Sequence, residues 1–216
     1  MTAPMTPRIG GQPVIDPGVI VGYRPGRAEA RGLRVGDRVR LRSGTVLYEG
    51  ARIGDRFETG HHVVVREDNV IGDDVSIWSN SVVDYGCVIG DKVKIHANCY
   101  VAQYSTIEEG AFLAPGVTLT NDLYPGSPES LEAMTGPTIG ARAQIGANAT
   151  VLPFVNVGDG ALIGAGSVVT RDIPPNVIAF GCPAVVVRTL EELEPIADRI
   201  RVARGSRPSA RSWAGG

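Results

Sequence analysis

The feature that most constrains this chain is an aliphatic residue at every sixth position. Stepping by six over residues 35–119, fourteen of fifteen positions hold Val, Ile or Leu, with Thr59 as the exception. The pattern breaks across residues 120–138 and then resumes two residues out of phase over 139–169, where six of six positions are aliphatic. The residue after the aliphatic one is often Gly, and the fourth residue after it is mostly small or β-branched.

A period of six fits neither an α-helix nor a plain β-strand. It predicts a chain that turns a corner every six residues and completes a triangular coil every eighteen. Residues eighteen apart then stack on neighbouring coils, about 4.8 Å apart, which is the spacing of hydrogen-bonded strands. The sequence therefore predicts an all-β solenoid of about seven coils, with the aliphatic residues in its interior.

The repeat also divides the chain into segments. We expect an N-terminal cap segment over residues 1–34, the solenoid over 35–173, and one projecting loop inserted at 120–138 because Pro, Gly, Ser and Asp dominate it. Two consecutive prolines end the repeat, and a capping-box pattern follows. We therefore expect a C-terminal strand and a short α-helix over 174–203, then a disordered tail over 204–216.

Composition excludes several classes of function. A formal net charge of −2 gives no case for binding nucleic acid or an anionic membrane. No apolar stretch approaches the 18 residues of a membrane-spanning helix, and the N-terminus lacks the features of a signal peptide. The three cysteines form no Cys-x-x-Cys pair, which favours a reducing compartment and a cytoplasmic protein.

The hexads Ile-Gly-Asp-x-Val and Ile-Gly-Ala-x-Ala resemble those of the left-handed β-helix acyltransferase superfamily. This resemblance implies a left-handed parallel β-helix and a homotrimer. Residues 93–125 are similar to sugar N-acetyltransferases that acetylate a 3-amino group on a nucleotide-linked sugar, through the patterns Lys-Ile-x-x-Asn, acidic-Gly-x-Phe-Leu and Thr-Asn-Asp-x-x-Pro. The chain departs from those relatives at 103–105, where Gln-Tyr-Ser replaces a frequent Tyr-Glu-Gly.

The resemblance implies N-acetylation of an amino-deoxy sugar linked to a nucleotide, in glycan or glycosylated-metabolite biosynthesis. Acetyl-CoA would be the co-substrate, no metal would be needed, and the active sites would lie at subunit interfaces. The expected catalytic residues are Asn121, Asp122 and His96.

Polar columns predicted by the eighteen-residue register supply the expected acceptor site. The columns are His62, Asn80 and Asn98; Tyr85, Gln103 and Asn121; and Trp78 and His96. An Asn column can be purely structural, or it can bind sugar hydroxyls or the acetyl carbonyl, and the sequence leaves both open. We expect His62, Asn80, Asn98, Gln103 and Tyr124 to bind the acceptor.

For acetyl-CoA, the resemblance implies a pantetheine arm lying along the coils between two subunits. Ala147, Ala165 and Gly166 are the small residues that would let it approach. Arg171 and Arg188 are either phosphate partners or ordinary surface arginines.

Seven arginines crowd into residues 24–42. They form either a solvated face that caps the open end of the solenoid or a site for a nucleotide diphosphate, because guanidinium groups match phosphate oxygens.

Three other functions are considered. An O-acetyltransferase acting on a sugar or small-molecule hydroxyl would need a general base such as His96, because a hydroxyl is barely ionised at neutral pH. A non-catalytic solenoid could bind a nucleotide sugar. A zinc enzyme with three His ligands is disfavoured, because the chain has three His in all and two are adjacent.

Overall fold

The computed structural model describes residues 6–26 and 32–192. The chain forms short strands, most of them two residues long, separated by tight corners. Before the interruption the strands are β1 (Arg8–Ile9), β2 (Val14–Ile15), β3 (Ile20–Tyr23), β4 (Arg34–Val35), β5 (Arg40–Leu41), β6 (Val46–Tyr48), β7 (Arg52–Ile53), β8 (Glu58–Thr59), β9 (Val64–Val65), β10 (Val70–Ile71), β11 (Ser76–Ile77), β12 (Val82–Val83), β13 (Val88–Ile89), β14 (Lys94–Ile95), β15 (Tyr100–Val101), β16 (Thr106–Ile107), β17 (Phe112–Leu113) and β18 (Thr118–Leu119).

One short helix, α1 (Pro128–Glu132), lies in the interruption. The strands after it are β19 (Thr138–Ile139), β20 (Gln144–Ile145), β21 (Thr150–Val151), β22 (Asn156–Val157), β23 (Leu162–Ile163), β24 (Val168–Val169), β25 (Val177–Gly181) and β26 (Ala184–Thr189).

Every third strand joins the same sheet, so the chain winds around three parallel sheets. The first sheet starts at β1 and the third at β3, and each has eight strands; the second starts at β2 and has ten. In the repeat the register step is eighteen residues, as in the pairs Ile71↔Ile89, Ile77↔Ile95 and Val83↔Val101. This is the left-handed parallel β-helix that the sequence predicted.

The solenoid has eight complete coils. Seven come from the predicted repeat, and an additional one comes from residues 8–23, within the segment expected to be an N-terminal cap. Its strands β1, β2 and β3 pair in parallel with the following coil. Ile9, Ile15 and Val21 already keep the spacing of six, but Val21 and Val35 are fourteen residues apart, which moves this coil out of phase.

The interior is a continuous aliphatic column. All twenty-one repeat positions are buried, including the lone polar one, Thr59. The residue four places further along is also buried except at Leu123 in the inserted segment, and it is usually small or β-branched, as at Ala111 and Ala143. Along every sheet, backbone N–H groups donate hydrogen bonds to carbonyl oxygens one coil away. Few backbone groups in the core therefore need a side-chain partner.

The interruption does not break the sheets. Thr106 and Ile107 pair directly with Thr138 and Ile139, so the ladder of the first sheet continues beneath the inserted segment. The segment projects as predicted, but it also contains helix α1, which the sequence analysis did not anticipate.

The chain leaves the solenoid through an antiparallel hairpin. Strand β25 extends the second sheet by pairing with β23, and β26 pairs with β25. The backbone N–H of Thr189 donates to Glu192 Oε2 at 2.9 Å, which is one half of the expected capping box. The helix predicted beyond this point and the tail lie outside the described residues. None of the described helices has the length and apolar character needed to cross a bilayer.

Candidate active site

The predicted site residues lie along two different edges of the third sheet. The His96 edge is the corner between the second and third sheets and carries His62, Asn80, His96 and Asn98. The Asn121 edge is the corner between the third and first sheets and carries Tyr85, Gln103, Asn121 and Asp122. Gln103 is the fifth residue after Asn98, so the chain between them spans at most about 17 Å. Within one chain, therefore, the expected catalytic residues His96 and Asn121 lie on separate edges.

The Asn column on the His96 edge has a backbone cause. His62, Asn80, Asn98 and Asn148 all occupy the same corner position with φ between 56° and 60°. This left-handed conformation is unfavourable for most side chains, and Asn tolerates it better than most. The corner geometry therefore accounts for the column on its own, whether or not these amides also contact a substrate.

His96 sits between two aromatic rings on the outer face of its edge. Its imidazole centroid lies 4.9 Å from the ring of Phe112 and 6.3 Å from that of Trp78. Its backbone N–H donates to Leu113 O at 2.8 Å, which fixes the main chain. No hydrogen bond from the imidazole to another described residue is found, so both ring nitrogens can reach a ligand.

A narrow groove of about 240 Å³ begins beside His96 and runs along the second sheet towards the C-terminus. It is lined by Phe112, Ala114, Gln144, Ile145, Gly146, Leu162, Ile163, Gly164 and Ala165. Ala114, Gly146 and Gly164 follow His96 in the same column, so the groove has a floor without protruding side chains. A Cβ on Gly146 would lie 2.5 Å from the backbone nitrogen of Ala165, so only glycine fits there.

The three small residues expected to let acetyl-CoA approach lie in or next to this groove. Ala165 lines it, and Ala147 occupies the equivalent corner position one coil earlier. Gly166 follows at the corner with φ +69°, and the space where its Cβ would stand is open. Sequence reasoning missed Phe112, although its position eighteen residues after Lys94 places it on the outer face of the second sheet.

The two expected phosphate partners separate. Arg188 pairs with Ile178, which pairs with Leu162 of the groove, so Arg188 lies on the same face of the second sheet two strand spacings away, about 10 Å. Arg171 is exposed at the Asn121 edge of its coil and does not approach the groove of its own chain.

The projecting loop holds the Asn121 edge in place. The Asn121 carbonyl accepts a hydrogen bond from the Thr135 N–H at 3.1 Å, and its side-chain amide lies 3.2 Å from the sulfur of Met134. The Asp122 carboxylate accepts from the Tyr124 N–H at 2.8 Å and from the Ser130 hydroxyl. Asp122 thus ties the loop together, while Tyr124 is 73% exposed and points away from these contacts.

A buried ion-pair network lies on the third sheet next to the Asn121 edge. Arg66 donates two hydrogen bonds to the Glu67 carboxylate, at 3.0 and 2.7 Å, and one to Asp84 Oδ1 at 3.0 Å. The Tyr100 hydroxyl donates to Asp84 Oδ2 at 2.8 Å. The Glu67 and Asp84 side chains are 5% and 8% exposed, so both carboxylates depend on the Arg66 guanidinium to compensate their charge. Arg66 and Asp84 are eighteen residues apart, a spacing that places them in one column on neighbouring coils and could have predicted this pair.

The position of Tyr100 in this network shifts the ionisation of its hydroxyl to higher pH. Burial, followed by the hydrogen bond to Asp84, raises the pKa of Tyr100 to about 12, against about 10 for a free phenol. The stability that Tyr100 contributes is complete below pH about 10 and is lost as the pH rises through about 12. In an absorbance titration of tyrosinate, we expect a late step near pH 12 that Tyr100→Phe removes. A titration that is unchanged in the variant would contradict this.

No group of three or more His, Cys, Asp or Glu side chains converges within residues 6–26 and 32–192.

Comparison with known proteins agrees with this geometry. Residues 86–121 and 136–171 match the family of bacterial transferase hexapeptide (six repeats), on either side of the projecting loop. No curated protein matches the sequence significantly.

Among solved structures, the chain is similar to a UDP-N-acetylglucosamine acyltransferase from Bacteroides fragilis. The TM-score is 0.55 at 18% identity, over 97% of this chain and 79% of that one. The enzyme of the same name from Campylobacter jejuni gives a TM-score of 0.48 at 16% identity, over 90% and 82%. PerB from Caulobacter crescentus, solved with CoA and GDP-perosamine, gives 0.34 at 25% identity, over 81% and 57%. Over residues 86–121 and 136–171 the chain is therefore similar to the bacterial transferase hexapeptide repeat, and its fold is a left-handed parallel β-helix.

Proposed function

We propose that this protein transfers an acetyl group from acetyl-CoA to the amino group of an amino-deoxy sugar carried on a nucleotide. The observation that carries the proposal is the groove on the second sheet that begins at Phe112, whose ring lies next to His96. Its small volume and flat floor suit a thin, extended thioester arm better than a bulky ligand, since pockets for drug-sized molecules are typically about 300–1,000 Å³. Arg188, about 10 Å beyond Leu162 on the same face, is then available to the phosphates of CoA.

The outer face of the third sheet supports a homotrimer. Its outward strand positions carry no charged side chain: Ile20, Val46, Val64, Val82, Tyr100, Thr118, Thr150 and Val168. The first sheet, by contrast, presents Arg8, Arg34 and Arg52, and the second presents Arg40, Glu58 and Lys94. An uncharged face with β-branched side chains is the one that can be desolvated at least expense.

If three chains turn their third sheets towards a common axis, the His96 edge of one chain meets the Asn121 edge of the next. Each site would then combine His96 and Asn98 from one subunit with Gln103, Asn121 and Asp122 from its neighbour. The open side of the acetyl-CoA groove would also gain its second wall. This arrangement unites the two sets of predicted residues that a single chain keeps apart.

The proposed reaction is an aminolysis of the thioester. The neutral sugar amine forms a C–N bond with the acetyl carbonyl carbon, the C–S bond breaks, and CoA leaves with its sulfur. His96 accepts the proton that the nitrogen loses and returns it to the departing thiolate, so that free CoA thiol and an N-acetyl sugar are the products. Amide groups such as that of Asn98 can donate to the oxyanion.

The test is release of CoA thiol from acetyl-CoA in the presence of uridine-, thymidine- and guanosine-diphosphate-linked amino sugars. We expect turnover with at least one of them, a product heavier by one acetyl group, and no turnover with the matching hydroxy sugar. Absence of thiol release across the whole panel would overturn the proposal. Turnover with the hydroxy sugar alone would replace it with O-acetylation.

His96→Ala separates the two chemistries further. An amino sugar with the pKa of an α-amine, about 7.7–8.0, is mostly neutral at pH 8.5, so a base is dispensable there. We expect the variant to lose less than about tenfold in kcat/KM at pH 8.5, and more at pH 6.5. Transfer to a hydroxyl would instead lose about 10²–10⁴-fold at both pH values.

A further inference from the structure

Three arginines from different parts of the sequence stack on the outer face of the first sheet. Strand pairing places Arg8 opposite Arg34 and Arg34 opposite Arg52. All three side chains are exposed and line one cleft of about 790 Å³. Thr6, Asp68 and Val70 also line this cleft, which we call the arginine cleft.

Like charges directly opposite one another destabilise a sheet, and Asp68 is the one carboxylate among the described residues that line the cleft, so a bound anion would relieve repulsion within the stack. Elsewhere in the solenoid a cation commonly has a carboxylate one coil away, as in Arg40–Glu58 at 3.6 Å and Arg66–Asp84 at 3.0 Å. Among the described residues, no carboxylate forms an ion pair with Arg8, Arg34 or Arg52.

The described arginines of residues 24–42 lie on different faces of the solenoid. Arg40 and Arg42 lie on the second sheet and pair with Glu58 and Asp16. Arg38 occupies a corner between the first and second sheets with φ 55°. Only Arg34 of this described group lines the cleft, where it joins Arg8 and Arg52 from the preceding and following coils.

We propose that the arginine cleft binds the diphosphate of a nucleoside diphosphate. The three guanidinium groups extend over two strand spacings, about 10 Å, so they can contact two linked phosphates at once, which a single phosphate would not span. Their planar donors match phosphate oxygens in paired hydrogen bonds. The volume of the cleft falls in the range of small-molecule sites, so a nucleoside fits beside the phosphates.

CoA also contains a diphosphate, but the cleft is remote from the CoA groove. Arg8, Arg34 and Arg52 belong to the first three coils and the first sheet. The groove belongs to the sixth to eighth coils and the second sheet. The cleft therefore serves the acceptor side of the reaction.

The position of the cleft suits a nucleotide-linked acceptor, a step that rests on the proposed function. Asp68 stands at the corner that leads from the third to the first sheet, in the same column as Tyr104, which neighbours Gln103. The coil of Arg52 is two coils before that of Gln103, a separation of about 10 Å along the solenoid. A diphosphate in the cleft would thus place its sugar near the Asn121 edge.

Calorimetric titration of the full-length protein with inorganic pyrophosphate, UDP, dTDP and GDP tests the site directly. We expect pyrophosphate and at least one nucleotide to bind, and Arg34→Ala to weaken both by about tenfold or more, since hydrogen bonds to charged groups contribute about 1.5–3 kcal/mol each. The matched control is Arg40→Ala, which removes the same charge from the same coil on a different face and should change neither affinity more than about twofold. Without ligand, Arg34→Ala should melt no earlier than the wild type, because it relieves repulsion.

Failure of all four ligands to bind, or equal affinities in Arg34→Ala and wild type, would overturn the inference. So would a rise in KM for acetyl-CoA, with the acceptor KM unchanged, in Arg34→Ala, because the cleft would then hold CoA. Diphosphate binding lost in Arg34→Ala but without any acetyl transfer would support the cleft and count only against the proposed function.

Discussion

Replacing Arg66 by leucine is expected to lower the free energy of unfolding by about 3–5 kcal/mol. Among the described residues, Arg66 is the one cation that contacts both Glu67 and Asp84, whose side chains are 5% and 8% exposed. Without it, two carboxylates remain close together and largely out of water. The variant also loses the packing of the guanidinium over the rings of Tyr48 and Tyr85, at 5.5 and 5.3 Å.

The matched control is Lys92→Leu. Lys92 and Glu109 form an equally short contact of 2.7 Å across one coil, but their side chains are 65% and 58% exposed. Exposed pairs of this kind contribute about 0–1 kcal/mol. Both variants remove one positive charge and add one leucine, so the difference between them measures what the buried network and the ring contacts of Arg66 add to an exposed ion pair.

Denaturant unfolding at fixed protein concentration measures both losses, since assembly would make apparent stability depend on concentration. Adding Glu67→Gln and Asp84→Asn to Arg66→Leu should restore part of the loss, because neutral amides are less costly to bury than carboxylates. A loss for Arg66→Leu no larger than for Lys92→Leu would show that water reaches the network and that it does not stabilise the fold.

Periodicity predicted the solenoid because a single physical demand recurs at every coil. One buried side chain must fill each side of the triangle, so the aliphatic pattern repeats at every coil, with Thr59 as its lone exception. The same logic failed for residues 8–23. The additional residues between Val21 and Val35 shift the phase of the six-residue repeat. The register of the first coil can therefore be recognised only once the strands that pair with it are known.

Stacking between coils was harder to predict than the fold. Arg34 and Arg52 are eighteen residues apart, but Arg8 and Arg34 are twenty-six apart because of the same insertion. No fixed spacing therefore identifies all three as neighbours. Backbone demands can also imitate functional patterns, as the Asn column shows, since a corner with positive φ favours Asn without any ligand.

The sequence predicted two groups of site residues but could not say that one chain separates them. The eighteen-residue columns give the distance between two residues along the solenoid axis. The distance between them around the solenoid depends on which corner each residue occupies. His96 and Asn121 differ by twenty-five residues, so they fall on different corners of the triangle. In the proposed function a neighbouring subunit brings them together, and the spacing within one chain does not predict such an assembly.

Ala165→Trp is expected to abolish acetyl transfer, with a loss of at least about 100-fold in kcat/KM for acetyl-CoA. Ala165 lines the groove beside Gly146 and Gly164, yet it is exposed at a corner, so an indole there disturbs no core contact. The groove is only about 240 Å³, and a Trp side chain would fill much of it. The thioester arm could then no longer reach His96, and reaching a near-attack position governs much of the rate of such a transfer.

The control is Val88→Trp, which places the same ring on the outer face of the first sheet, where Val88 is 49% exposed and lines neither the groove nor the arginine cleft. Binding of CoA, followed by calorimetry, should be lost in Ala165→Trp and kept in Val88→Trp, while both variants bind pyrophosphate like the wild type. If Ala165→Trp binds CoA normally, the arm does not lie along the second sheet. The flat column of Ala114, Gly146 and Gly164 would then only allow the coils to pack closely.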